Sequence, residues 1–139
     1  MKVHKNRQKE AITVFTPKSE FNQIQQKQLS SLGQVQYTQS RAELSIDELI
    51  KFSKNTTILG FDPDNLDGFE KSEQNLTRLL NSLPHLKGIA LDTTAFNYIN
   101  LDYCKKKKIT ITNVPHYSSE SVAEHTIALL LGSQVSHFN

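Results

Sequence analysis

The stretch that most constrains this chain runs from Ile109 to Gly132, ITITNVPHYSSESVAEHTIALLLG, where the hydrophobic period changes abruptly. Ile109 to Thr112 is a β-branched run that reads as a buried strand. Asn113 to Ser118 is a short loop carrying Pro115. Beyond it Val122, Thr126, Leu129 and Leu130 recur at the helical period. Ser118 or Ser119 can cap this helix, and Glu120 puts a negative charge among its free N–H groups. The unit is strand, loop, helix, with the helix N-terminus aimed back at the loop.

The same alternation runs through the rest of the chain. Ala11 to Thr16 reads as a first strand, stopped by Pro17. Ser19 is placed to cap a helix reaching Leu32, with Phe21, Ile24, Leu29 and Leu32 inward and Gly33 as its C-terminal cap. Gln34 to Thr38 is a second strand whose polar alternation suits a sheet edge. Ser45-Ile46-Asp47-Glu48 is a capping box opening a short helix to Lys54. Thr56 to Phe61 is a third strand, ending in the turn residues Asp62-Pro63-Asp64-Asn65. Leu76, Leu79, Leu80 and Leu83 share one face of the next helix, closed by Pro84. Leu86 to Leu91 is the fourth strand, with Asp92-Thr93-Thr94-Ala95 as its exit loop. Asn100 caps a helix from Leu101 to Lys107.

Parallel strands need helix-sized crossovers, so this order predicts an open, doubly wound α/β sheet. The polar second strand at one edge fits the flavodoxin-like order 2-1-3-4-5, with helices on both faces. Residues 1–10 are polar and basic and read as a flexible lead-in; 11–118 form the sheet domain, 119–132 a linker or interface helix, and 133–139 a frayed tail.

A chain of 139 residues is one domain by length. No apolar run approaches the ~18 residues of a membrane span, and no apolar core follows the N-terminal Lys and Arg as in a signal peptide. Cys104 is the single cysteine, which excludes an internal disulfide and fits a reducing, cytoplasmic setting. A net charge of +2 without Trp or a dense Arg patch gives no push toward nucleic acid.

In open α/β sheets ligands bind outside the carboxyl ends of the strands. The loop after the fourth strand is the best anion candidate, because N–H groups near Thr93, Thr94 and Ala95, with two hydroxyls, can hold a carboxylate. The final helix presents its N-terminus to the same rim. Each of these residues also has a plainer role. Thr93 and Thr94 are β-branched residues ending a strand. No second ligand is spaced with His116, so no metal site is expected. Glu124 and His125 read as solvent-facing helix positions, and Lys105 to Lys108 as a solvated cationic helix end. Cys104 has no base nearby and reads as a half-buried apolar side chain. The glycines, Gly33, Gly60, Gly68, Gly88 and Gly132, form no G-x-G-x-x-G phosphate loop.

NVPHYSSESVAEHTIALLL, together with LKGIALDTTAFNYINLDYCKKKKITITNVP before it, resembles the D-isomer-specific 2-hydroxyacid dehydrogenases where the first lobe hands over to the nucleotide-binding lobe. The match is specific from Leu86 to Leu131 and architectural from Ala11 to Leu83. The resemblance implies a flavodoxin-like first lobe that binds a 2-keto or 2-hydroxy acid through backbone N–H groups at Thr93, Thr94 and Ala95. It implies NAD as the family's cofactor, with Thr126 near the nicotinamide if a nucleotide-binding lobe is supplied. The family's loop ends in Gly, an apolar residue and Asp, where this chain has Ala95, Phe96 and Asn97. A left-handed backbone at Ala95 would cost roughly 1–2 kcal/mol.

The family continues into a Rossmann domain with a Gly-rich loop and a catalytic Arg, Glu and His; this sequence ends at Asn139. No catalytic residue is therefore assigned, no cofactor is expected to bind this chain alone, and no dehydrogenase turnover is expected from it. Two other readings stand beside a substrate lobe of an oxidoreductase: a non-catalytic small-anion-binding or protein-interaction module, and a subunit completed by a separate Rossmann chain. Under all of them the helix over 119–131 exposes more apolar surface than one small sheet covers, and it is expected to mediate a homodimer.

Overall fold

The computed structural model describes residues 9–40 and 44–135. Most of the lead-in, and the end of the tail, lie outside the described residues. The strands are β1 (Glu10–Val14), β2 (Gly33–Tyr37), β3 (Ile58–Phe61), β4 (Gly88–Leu91) and β5 (Thr110–Thr112). The helices are α1 (Gln23–Leu32), α2 (Ile46–Phe52), α3 (Gly68–Asn81), α4 (Leu101–Lys107) and α5 (Ser119–Val135). The sheet is parallel, in the order β2-β1-β3-β4-β5. This is the flavodoxin-like order, with the polar β2 at an edge.

Local caps set several helix starts. Ser45 and Glu48 close the capping box of α2, and the Asn100 side chain accepts from the Tyr103 N–H of α4. The cap of α1 is Asn22, not Ser19: Asn22 and Gln25 form a reciprocal capping box, while Lys18–Glu20 turns into a separate 3-10 segment. Phe21 consequently precedes the helix. Gly33 is not a left-handed C-cap. Its φ of 179° is extended, and it opens β2. A Cβ there would lie 2.0 Å from the Glu10 carbonyl oxygen, so the glycine is required by the close approach of two backbones.

Right-handed crossovers decide which face each helix takes. The step from β1 to β2 runs one way along the sheet, and the three later steps run the other way. That puts α1 on one face and α2, α3 and α4 on the opposite face. The packed core lies on the three-helix side. Leu59 and Ile89 of the strands meet Leu49 of α2, Leu76 and Leu79 of α3 and Cys104 of α4, all buried. Each such side chain contributes about 1.5–3 kcal/mol by leaving water. Cys104 is fully buried rather than half-buried, and burial pushes its thiol pKa up. Below this layer Gln36 donates to the Thr13 hydroxyl at 2.6 Å and to the Phe52 carbonyl at 2.8 Å, joining β2 to β1 and α2.

The other face is thinly covered. The register aligns Val14, Gly60, Ala90 and Thr112 in one row and Ile12, Ile58, Gly88 and Thr110 in the next. Only α1 flanks these rows, and none of its residues is buried. Phe21 and Leu29 are half-buried, but Ile24 and Leu32, expected inward, are 70% and 62% exposed. An open trough of about 500 Å³ lies between α1 and the strands, floored by Val14, Ile58, Gly60 and Ala90. The helix α5 does not fill it. Every residue from Ser119 to Leu131 is exposed. Among the described residues no helix is long and apolar enough to cross a membrane.

Candidate functional site

The C-terminal rim of the sheet is assembled by short side-chain ties. Asp62 accepts from the Asp64 N–H at 2.8 Å, and the Asn65 amide donates to the Phe15 carbonyl at 3.2 Å, joining the β3 exit to the β1 exit. The β4 exit is bound to the β5 exit by three contacts. The Val114 N–H donates to the Thr93 carbonyl at 3.1 Å, the Asn113 amide to the Thr94 carbonyl at 2.8 Å, and the Thr94 hydroxyl to the Val114 carbonyl at 3.2 Å. The Thr93 hydroxyl donates to the Ala95 carbonyl at 3.0 Å, a tight turn within the loop.

Thr93, Thr94 and Ala95 are therefore brought together at the rim, as the sequence suggested, but with a different division of labour. Both threonine hydroxyls are engaged in the loop's own structure. The backbone N–H groups of Thr94 and Ala95 have no partner among the described residues. Ala95 does not adopt a positive φ, so the expected strain is absent. The left-handed residue is His116, at φ 60°, where the loop turns toward α5. His116 itself is exposed.

The electrostatics at the loop are mixed. Tyr98 is buried beneath it. Burial raises the Tyr98 pKa most, and the nearby Asp62 and Asp92 carboxylates raise it further, while the Thr93 hydroxyl lowers it. Two carboxylates, Asp62 and Asp92, thus lie close enough to act on the Tyr98 hydroxyl. Asp92 also lines the upper end of the apolar trough, with Thr16 and Val114.

Thr126 is not brought to this loop. Its side chain is exposed on α5, and its hydroxyl donates to the Val122 carbonyl one turn back at 2.8 Å. No group of three or more His, Cys, Asp or Glu that could hold a metal exists among the described residues. Lys105 to Lys107 end α4 as read, and Lys108 closes it at φ 58°; Lys107 Nζ lies 5.9 Å from the Tyr103 ring centre. Sequence reasoning placed Asp62 at the end of the third strand, on this rim, and missed the roles of Asn113 and Tyr98. Asn113, an amide beside a proline loop, carried a local signal, whereas Tyr98 acts through the packing of distant segments.

These features define a class: a flavodoxin-like α/β domain whose β4 and β5 exit loops are tied together at its C-terminal rim. The sequence profile of the D-isomer-specific 2-hydroxyacid dehydrogenase catalytic domain matches residues 12–134, and the chain belongs to this family. A D-lactate dehydrogenase of Staphylococcus aureus is 34% identical over 100 residues, 70% of this chain. The crystal structure of D-lactate dehydrogenase from Aquifex aeolicus, complexed with NAD and lactic acid, superposes with a TM-score of 0.62 at 30% identity over 87% of this chain. An acyclic imino acid reductase shares the fold at a TM-score of 0.65 and 19% identity. The chain spans 27% of the staphylococcal enzyme and 32% of the Aquifex chain.

Proposed function

We propose that this chain is the substrate-binding lobe of an NAD-dependent D-2-hydroxyacid dehydrogenase, and that it holds the carboxylate of a 2-keto or 2-hydroxy acid. The observation that carries this reading is the pair of N–H groups at Thr94 and Ala95 that have no partner among the described residues, in a loop held by the ties to Asn113 and Val114. Hydride transfer needs a nicotinamide held against the substrate carbon and an acid/base group beside it. This sequence carries neither a G-x-G-x-x-G loop nor a residue assigned to that role. Turnover therefore requires a nucleotide-binding unit, on the same polypeptide or on a separate chain, and Thr126 would meet the cofactor only then. The buried, reduced Cys104 suits a cytoplasmic setting.

The partner reading follows from α5, whose exposed apolar residues mark an interface. We place a homodimer contact there. A second functional reading, a non-catalytic anion-binding or interaction module, draws on the Asp62 and Asp92 carboxylates that act on Tyr98 at the same rim.

The experiment is a thermal-shift titration of the purified chain with NADH and with 2-keto acids. A ligand at about 100 times its Kd adds about 2.7 kcal/mol, several degrees in Tm for a domain of this size. Stabilisation by a 2-keto acid and not by NADH supports the substrate lobe. No stabilisation by either favours the interaction module. Asp92→Asn removes one like charge from the rim and should tighten 2-keto acid binding about threefold. Measurable NADH oxidation by this chain alone would overturn the division of labour between lobes.

A further inference from the structure

The net charge of +2 conceals a separation of charge along the strands. The segments that leave β3 and β4, 62–67 and 92–97, hold four carboxylates and no lysine or arginine. The segments at the amino ends of the strands, 9–11, 53–57, 83–88 and 105–110, hold seven lysines and a single carboxylate, Glu10. We propose that the cleft at the amino ends of β1, β3 and β4 binds a small, multiply charged phosphate anion. This site is separate from the Thr94–Ala95 loop, which lies at the other end of the strands.

The walls of the cleft are fastened by short bonds. The Thr57 hydroxyl accepts from the Ala11 N–H at 2.9 Å and donates to the Ala11 carbonyl at 3.1 Å, closing β1 onto the approach to β3. The Lys87 N–H donates to the Thr57 carbonyl at 2.7 Å, and the Thr110 N–H donates to the Lys87 carbonyl at 2.8 Å. The Leu86 N–H donates to the Leu83 carbonyl at 3.2 Å, a turn that holds Pro84 and His85 between α3 and β4. These segments enclose an opening of about 620 Å³. That is within the roughly 300–1,000 Å³ of small-ligand sites.

The lining selects an anion. Lys9, Glu10, Asn55, Thr57, His85 and Lys87 all face the opening. Glu10 is already engaged, with both carboxylate oxygens 3.0 Å from Lys87 Nζ. The Lys9 ammonium, the Asn55 amide and the His85 imidazole are exposed and have no partner among the described residues. Donors therefore remain where the one acceptor is spent.

The charge count selects several negative charges over one. Lys105 to Lys108 precede Thr110, which is bonded to Lys87, so their field reaches the mouth of the cleft. Lysine binds phosphate as a point charge and needs no fixed fork of donors. Arginine, Phe, Tyr and Trp are all absent from these four segments. A strand of nucleic acid is held by stacking on aromatic rings and read by arginine, so the residues present favour a small anion.

The test uses the purified chain and tripolyphosphate at about 50 mM salt, where surface charge is weakly screened. Imidazole C2–H protons are followed by NMR, because His85 and His116 mark opposite ends of the sheet. The expected result is a saturable shift at His85, assigned by its loss in His85→Asn, with His116 unmoved. Lys9→Gln and His85→Asn should each weaken binding, read by calorimetry, about fivefold, the upper range for an exposed charge pair. Lys71→Gln removes the same charge near the start of α3, at the other end of the strands, and should change it less than about twofold. Circular dichroism checks that each variant keeps the fold. Equal weakening by Lys71→Gln means that overall charge alone attracts the anion, and the site falls. Weakening by Lys106→Gln but by neither cleft variant puts the anion on the end of α4 and overturns the cleft. A shift at His116, with competition by pyruvate, puts it at the carboxyl rim; this site then falls while the 2-keto acid reading stands. Binding of a single-stranded oligonucleotide without binding of tripolyphosphate assigns the face to nucleic acid and overturns the small-anion site. No shift at His85 overturns it outright.

Discussion

The two faces of this sheet are built from the same five strands and differ in what lies on them. On one face Leu49, Leu76, Leu79 and Ile89 interdigitate into a closed core. On the other, Ile58, Gly60 and Ala90 floor an open trough with α1 at its flank. The difference teaches that strand order alone assigns helices to faces but does not complete a face. Three crossovers in one direction filled the first side, and a single crossover in the other direction left the second side with one helix.

The sharpest way to probe this asymmetry is to shorten one aliphatic side chain on each face. Leu79 is 0% exposed. Leu79→Ala removes three carbons' worth of packing from a site with little room to collapse, and should cost about 2–5 kcal/mol. Ile58, half-buried at the trough, already borders open space. Ile58→Ala should cost the isolated chain about 1 kcal/mol. Urea denaturation at a concentration where the chain is monomeric reads both. A loss at Ile58 as large as that at Leu79 would mean the second face is already closed.

Helix caps extend the comparison at a smaller scale. Ser45 caps α2, which buries Leu49 in the core, and Asn22 caps α1, which buries nothing. Each substitution to Ala removes a bond worth about 1 kcal/mol. Ser45→Ala should lower global stability by about that amount, because α2 unfolds with the core. Asn22→Ala should act mostly on local opening of α1, seen as faster amide exchange from Gln25 to Leu32 with little change in Tm.

The fold was largely legible because alternating strands and helices leave a local trace. The same holds for Ser45 and Asn100, whose side chains cap the turn beginning at their own position. Where the reading went astray, a distant segment decided. Gly33 looked like a helix C-cap and is instead the point where β2 meets the Glu10 carbonyl. Ile24 and Leu32 fit an inner face that exists only if something covers it. At the rim, Thr93 and Thr94 were legible as a loop, but the engagement of the Thr94 hydroxyl with Val114 depends on a residue twenty positions away. Ala95, expected to carry the strain, does not, because the left-handed turn falls at His116.

The smallest effect expected distinguishes the two faces by pH. Tyr37 packs against Phe21 on the α1 side, with tilted rings whose centres are 5.5 Å apart, and burial alone raises its pKa. Tyr98 belongs to the core on the three-helix side, where burial acts first and the Asp62 and Asp92 carboxylates add to it. A folded-state pKa above the unfolded value means the folded protein keeps its proton longer. The associated stability is fully present below about pH 10, the ordinary tyrosine range, and is lost as pH rises through the folded pKa. Alkaline unfolding should therefore begin above pH 10 and be shifted upward by removing either hydroxyl. Tyr98→Phe should flatten the alkaline limb more than Tyr37→Phe, because only Tyr98 would ionise against two carboxylates. Tm measured from pH 8 to 11 for the two variants reads this directly. Equal flattening would mean that burial alone governs both, and that the rim carboxylates are too well solvated to oppose an anion bound at Thr94 and Ala95.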